Sequence, residues 1–156
     1  MHEKASKYLA GETAGSGLVN GILNFAAAFA IFHSRSLVPT TGPASLLRDL
    51  IGETFLVTAL SVLIPSLIAR HRRRAGTLPI SPERRPAPAG NLYLRAIVAG
   101  LLFTCVFVPC NAFLLPWMFP SGVSFRNVLL LKTLYGTVLG SIATFLAVRK
   151  ALNEVD

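Results

Sequence analysis

Four stretches of this chain are apolar and long enough to cross a lipid bilayer, which leaves few folds open to it. They lie at about residues 17–33, 46–69, 92–115 and 128–148. A helix needs about 20 mostly apolar residues to cross about 30 Å of hydrocarbon. The third and fourth stretches meet that length comfortably. The first needs part of Leu9–Ser16 to reach it, and the second carries Asp49 and Glu53 near one end. Lipid-exposed backbone must satisfy its own hydrogen bonds, so such spans are helices. The composition agrees, with 53% hydrophobic and 14% charged residues and a mean hydropathy of +0.58. Four spans in 156 residues leave no soluble domain of useful size. The expected fold class is an all-α integral membrane protein: a four-transmembrane-helix bundle built as two parallel-repeat helical hairpins.

The charges divide the chain into three parts. Residues 1–70 are expected to form the first membrane hairpin, 71–91 a basic Pro-rich linker, and 92–156 the second hairpin. Arg70, Arg72, Arg73, Arg74, Arg84, Arg85 and Arg95 cluster around the linker against the single acid Glu83. Lys4 and Lys7 precede the first span, and Arg149 and Lys150 follow the last; the two short loops hold only Arg35, Arg48 and Arg126. By the positive-inside rule the termini and the linker are expected to be cytoplasmic. An even number of spans requires the same. The net charge of +8 is explained by this topology, so no nucleic-acid partner is expected. The basic linker is suited instead to anionic lipid headgroups. A bacterial plasma (inner) membrane is the expected location.

The first span is expected to be retained rather than removed as a signal peptide. Gly15, Gly17, Asn20, Gly21 and Asn24 interrupt its apolar run, and its loss would leave three spans. Cys105 and Cys110 lie about 140° apart around one helix, so they cannot bridge each other and read as small apolar residues.

Sliding the chain against itself by 79 residues superposes the hairpins without a gap. Val19 falls on Val98, Gly21 on Gly100, Ser45 on Ser124, Leu50 on Leu129, Thr54 on Thr133 and Arg70 on Arg149. Two copies of a two-span unit share one orientation, so a duplication predicts a pseudo-twofold axis along the membrane normal. Convergence is the competing explanation, because any two membrane hairpins share Leu, Ala, Gly and a closing Arg.

In this alignment Glu53 falls on Lys132, and each stands seventeen residues before the arginine that closes its span. At 1.5 Å per residue that is about 26 Å, which places both near the outer edge of the hydrocarbon. Lys132, Gly136 and Gly140 recur at intervals of four, so the lysine lies on a stripe of small residues of the kind that lets helices approach closely. Glu53, Val57 and Ser61 make a weaker stripe, with Asp49 one turn outward. A Glu53–Lys132 pair across the axis is expected, as a transport site or as a structural clasp.

Gly17 and Gly21 form a GxxxG in the first span, and Asn20 and Asn24 stand one turn apart beside them. Asparagine in lipid calls for an interhelical hydrogen bond. Asn111, close behind Pro109 in the third span, is the remaining candidate for lining the bundle.

No catalytic motif is present, so an enzyme is not expected. His33 alone among the histidines lies near the outer end of a span, whereas His2 and His71 are at the other side. No Cys/His set has metal-ligand spacing, so neither haem nor a metal is expected. The leading expectation is a small transporter or permease-like protein with an intramembrane charge pair. Four short helices enclose little space, so a homo-oligomer is expected with it. The alternative is a non-catalytic assembly or scaffold subunit whose charge pair is structural.

Overall fold

The computed structural model of the chain describes residues 2–77, 87, 88, 90–152, 154 and 155. The remainder of the expected linker, residues 78–86 and 89, lies outside the described residues. Four long helices dominate: α1 (His2–Phe32), α2 (Leu46–Arg74), α3 (Leu92–Met118) and α4 (Phe125–Ala151). All four are long and apolar enough to cross a membrane. Their outer faces carry Leu18, Ile22, Phe29, Leu101, Val106, Phe113, Leu130 and Val138 in the open. Apolar exposure on that scale suits lipid and not water.

The helices overrun the apolar stretches that define them. α1 begins at His2 because Lys4, Ala5, Lys7, Leu9, Ala10 and Glu12 are mostly good helix formers that continue the helix past the lipid. α2 continues through His71–Arg74, whose charges suit the negative end of the helix dipole. At its other end the Ser45 hydroxyl accepts from the Arg48 amide at 3.3 Å. Asn91 caps α3 by accepting from the Tyr93 and Leu94 amides at 3.0 and 3.2 Å.

The two short loops meet at one end of the molecule. β1 (Leu37–Val38) and β3 (Val123–Ser124) pair antiparallel there, and the second two-residue pairing joins β2 (Ala87–Pro88) to β4 (Glu154–Val155) in parallel at the linker end. Gly122 has φ +97, and a Cβ there would stand 2.9 Å from the Val38 carbonyl oxygen, so this turn needs glycine. Beneath the β1–β3 pairing, Phe32, Val38, Leu46, Leu50, Val123 and Val128 form the main apolar core.

The helices do not pack chiefly as hairpins. α1 lies along α4, α4 along α2 and α2 along α3, whereas α1 and α2 meet only sparsely. The cause is a match of small residues. Gly17 and Gly21 of α1 sit against Thr137 and Ser141, while Gly136 and Gly140 of α4 sit beneath Asn24 and Asn20. A Cβ at Gly140 would come within 2.5 Å of the Asn20 amide nitrogen. α3 makes the weakest commitment to the core. Only Leu92, Ala96, Gly100 and Leu115 are buried along it, with Gly100 fitted against Phe55 of α2.

Candidate functional site

Lys132 enters the core from α4 because its stripe-mates Gly136 and Gly140 bring that face against its neighbours. Asp49 and Glu53, one turn apart on α2, face it. The lysine ammonium donates a hydrogen bond to Asp49 Oδ2 and stands 3.0 Å from Glu53 Oε2. It also lies 5.9 Å from the centroid of the Phe32 ring of α1. The Lys132 side chain is 2% exposed, Glu53 6% and Asp49 20%, so only Asp49 reaches toward the surface. Two carboxylates therefore surround one ammonium in a largely dry setting. Apart from this contact of Oε2 with the lysine, the buried Glu53 oxygens have no hydrogen-bond partner among the described residues. Removing a carboxylate from water without such bonds is costly even beside a cation.

The cluster stands in a groove. Because α1 and α2 both lean on α4 and barely on each other, a gap remains between them with α4 as its floor. Its central stretch, about 340 Å³, is lined by Asn20, Asn24, Glu53, Lys132 and Asp49 and walled by Leu23, Leu56 and Leu60. Toward the linker end it continues past Asn20 into a stretch of about 350 Å³ with Ser16, Ser61 and Glu12. Toward the short loops it continues past Asp49 and Gly52 into about 380 Å³ beside Arg35, Ser45 and Arg48. At this mouth Arg35 donates to the Ala44 carbonyl and Arg48 to the Pro43 carbonyl, at 3.0 and 2.9 Å.

A ladder of polar side chains lines the linker half of the groove. The Asn24 amide donates to the Asn20 carbonyl at 2.9 Å. The Asn20 amide donates to the Ser16 carbonyl at 2.8 Å and to the Ser61 hydroxyl at 3.0 Å, which ties α1 to α2. Thr144 of α4 donates to the Ser16 hydroxyl at 2.6 Å. All three helices of the groove are joined through these few atoms.

Asn111 is placed elsewhere. It lies on the opposite side of the α2–α4 pair, where its amide donates to the Tyr135 hydroxyl at 3.3 Å. That hydroxyl is 2.7 Å from the Thr54 hydroxyl, which donates its own hydrogen to the Leu50 carbonyl at 2.6 Å. Tyr135 must then be the donor to Thr54, so each proton of the chain has one destination. Phe107 of α3 packs edge-on against Tyr135, at 6.4 Å between ring centroids. His33 stacks on Phe29 and faces the Ala30 carbonyl, away from the cluster.

Sequence reasoning named Glu53, Lys132, Asp49, Asn20 and Asn24, and these five line one groove. It passed over Tyr135, Ser16 and Thr144. A tyrosine in mid-span was the available signal, since its hydroxyl seeks a partner when buried. For a metal, among the described residues no group of three or more His, Cys, Asp and Glu side chains comes together. No protein-family model, curated protein or solved structure matches the chain.

Proposed function

We propose that the protein is a small transporter or permease-like membrane protein whose path is the α1–α2 groove and whose binding site is the Asp49–Glu53–Lys132 cluster. The observation that carries this reading is a row of three adjoining cavities, the first two sharing Asn20, Leu23 and Leu60 and the last two sharing Asp49 and Gly52. Polar side chains line it from Glu12 near the linker end to Arg48 at the short loops, and the charge cluster interrupts it partway. A purely structural clasp needs no such avenue. Lys132 occupies the site as an internal counter-charge, which a ligand displaces. No nucleophile–base set accompanies the groove, and the reading assigns no catalysis.

In this reading the linker end and both termini face the cytoplasm of a bacterial cell, in line with the arginine distribution. The linker rests on anionic headgroups. The lipid-facing surface of α3 leaves room for a second copy. Two features support an origin by duplication. Ser45 and Ser124, 79 residues apart, both precede the long helix that closes a hairpin. Gly21 and Gly100, at the same offset, each seat the first helix of one hairpin on the second helix of the other.

The alternative, a non-transporting assembly subunit, is favoured by the direct bond between Lys132 and Asp49, which ties α4 to α2. Cysteine labelling separates the two. In a Cys105→Ala, Cys110→Ala background, single cysteines at Asn20 and Gly52 are treated with a membrane-impermeant thiol reagent from each side of sealed vesicles. A transport path predicts labelling at both, with Asn20→Cys reached from the linker side and Gly52→Cys from the loop side. Resistance at both positions would reject the path and leave the clasp.

A further inference from the structure

We infer that the ligand of the central groove is a small amphipathic organic cation, an ammonium on an apolar body, held by Glu53 in exchange for Lys132. The inference rests on the path reading above and adds the chemistry of what travels. Charge is the first ground. The cluster sets two acid side chains against one ammonium, so with both acids ionised the ammonium offsets only one of them.

The second ground is independent of that count. Glu53 has a side chain only 6% exposed, lines the groove, and has one buried oxygen 3.0 Å from the Lys132 ammonium and a second, Oε1, with no hydrogen-bond partner among the described residues. Buried polar groups are almost always bonded, and an exception marks a place where something else binds. Asp49, in contrast, already accepts the Lys132 proton. Glu53 Oε1 is thus the acceptor left over.

Shape and lining define the rest of the ligand. The central stretch, about 340 Å³, falls at the small end of ligand pockets. Leu23, Ala27, Leu56 and Leu60 offer it apolar walls, and the groove is open along one side, so an apolar tail can trail toward lipid. An anionic ligand meets the wrong charge. Lys132 is held by both acids, and Arg35 and Arg48, which keep their charge while donating to loop carbonyls, stand at the mouth and not in the central stretch. A bare metal ion would find too few oxygens, because hard cations take six or more.

The test is equilibrium binding of radiolabelled octyltrimethylammonium to the full chain in lipid nanodiscs, with empty nanodiscs subtracting partition into lipid. Saturable binding is expected. Glu53→Gln should weaken it by about 30-fold or more, as for truncating one partner of a buried charge contact. Lys132→Gln should tighten it, because the competing ammonium is gone; this opposite sign cannot arise from a damaged fold. Ala27→Trp, which fills the groove and spares every charge, should abolish it. Binding that Glu53→Gln and Lys132→Gln both leave unchanged would overturn the assignment. So would equal displacement by octyl sulfate, which signals an anion site, or by sodium chloride at matched ionic strength. If the groove cysteines label but no saturable binding is found, the path stands and the cation is rejected; if they resist, the path itself falls.

Discussion

Two gaps flank the central α2–α4 pair, and they have opposite characters. The α1–α2 gap is an open groove containing Asp49, Glu53, Lys132 and a ladder of amides and hydroxyls. The α3–α4 gap is bridged by Tyr135, whose hydroxyl joins Asn111 to Thr54 and whose ring meets Phe107. At the offset of 79 residues, Asn20 and Asn24 correspond to Ala99 and Phe103, and Tyr135 corresponds to Leu56. One gap has amides where the other has a methyl and a phenyl ring. Polar side chains on one side of the α2–α4 pair thus line an open groove, and aromatic filling on the other side gives a brace. Buried charge, costly inside a membrane, is retained on the side of the open groove.

The largest test of this contrast is removal of the ammonium. Lys132→Leu leaves Asp49 and Glu53 facing each other without a counter-charge, and should cost about 3–5 kcal/mol of stability. Reversible unfolding in mixed micelles would measure it. The triple change Asp49→Asn, Glu53→Gln, Lys132→Leu should recover most of the loss, since a buried ion cluster replaced as a whole is often neutral. A smaller effect is expected at the floor of the groove. Gly140→Ala drives a methyl into the Asn20 amide and should cost about 1–3 kcal/mol. Gly52→Ala, which meets nothing within 4 Å, should stay within about 0.5 kcal/mol of the parent. On the braced side Tyr135→Phe removes a hydroxyl but keeps the ring, so about 1 kcal/mol is expected. A loss at Tyr135 matching that at Lys132 would erase the distinction between the gaps.

Much of the architecture was legible because membrane spans write themselves as long apolar runs. The stripe at Lys132, Gly136 and Gly140 likewise announced an inward face. Helix ends were less legible: Lys4–Glu12 and His71–Arg74 continue their helices through charged residues that an apolar count excludes. The pairing of helices was hidden more deeply. That α1 would choose α4 over α2 depends on Gly17 and Gly21 meeting Thr137 and Ser141 more than a hundred residues away. No local pattern encodes that match. The same holds for Asp49, which sequence placed a turn outside the pair and which instead accepts the Lys132 hydrogen bond. A lysine side chain is long enough to choose between acids one turn apart. Asn111 was grouped with Asn20 and Asn24 by residue type, whereas α3 packs on the far side of α2 and carries it to Tyr135.

The claim that one gap is a water-filled path and the other a packed brace is tested most directly by comparing two cysteines. Leu60→Cys faces the groove, and Phe107→Cys faces Tyr135 across the other gap. Each is introduced without Cys105 and Cys110, reconstituted, and treated with a charged, membrane-impermeant thiol reagent; Leu130→Cys, on the outer surface, reports lipid exposure. The account predicts rapid modification of Leu60→Cys, with Phe107→Cys and Leu130→Cys both resistant. Modification of Leu60→Cys no faster than that of Leu130→Cys would show the groove to be filled by lipid, and would contradict the path.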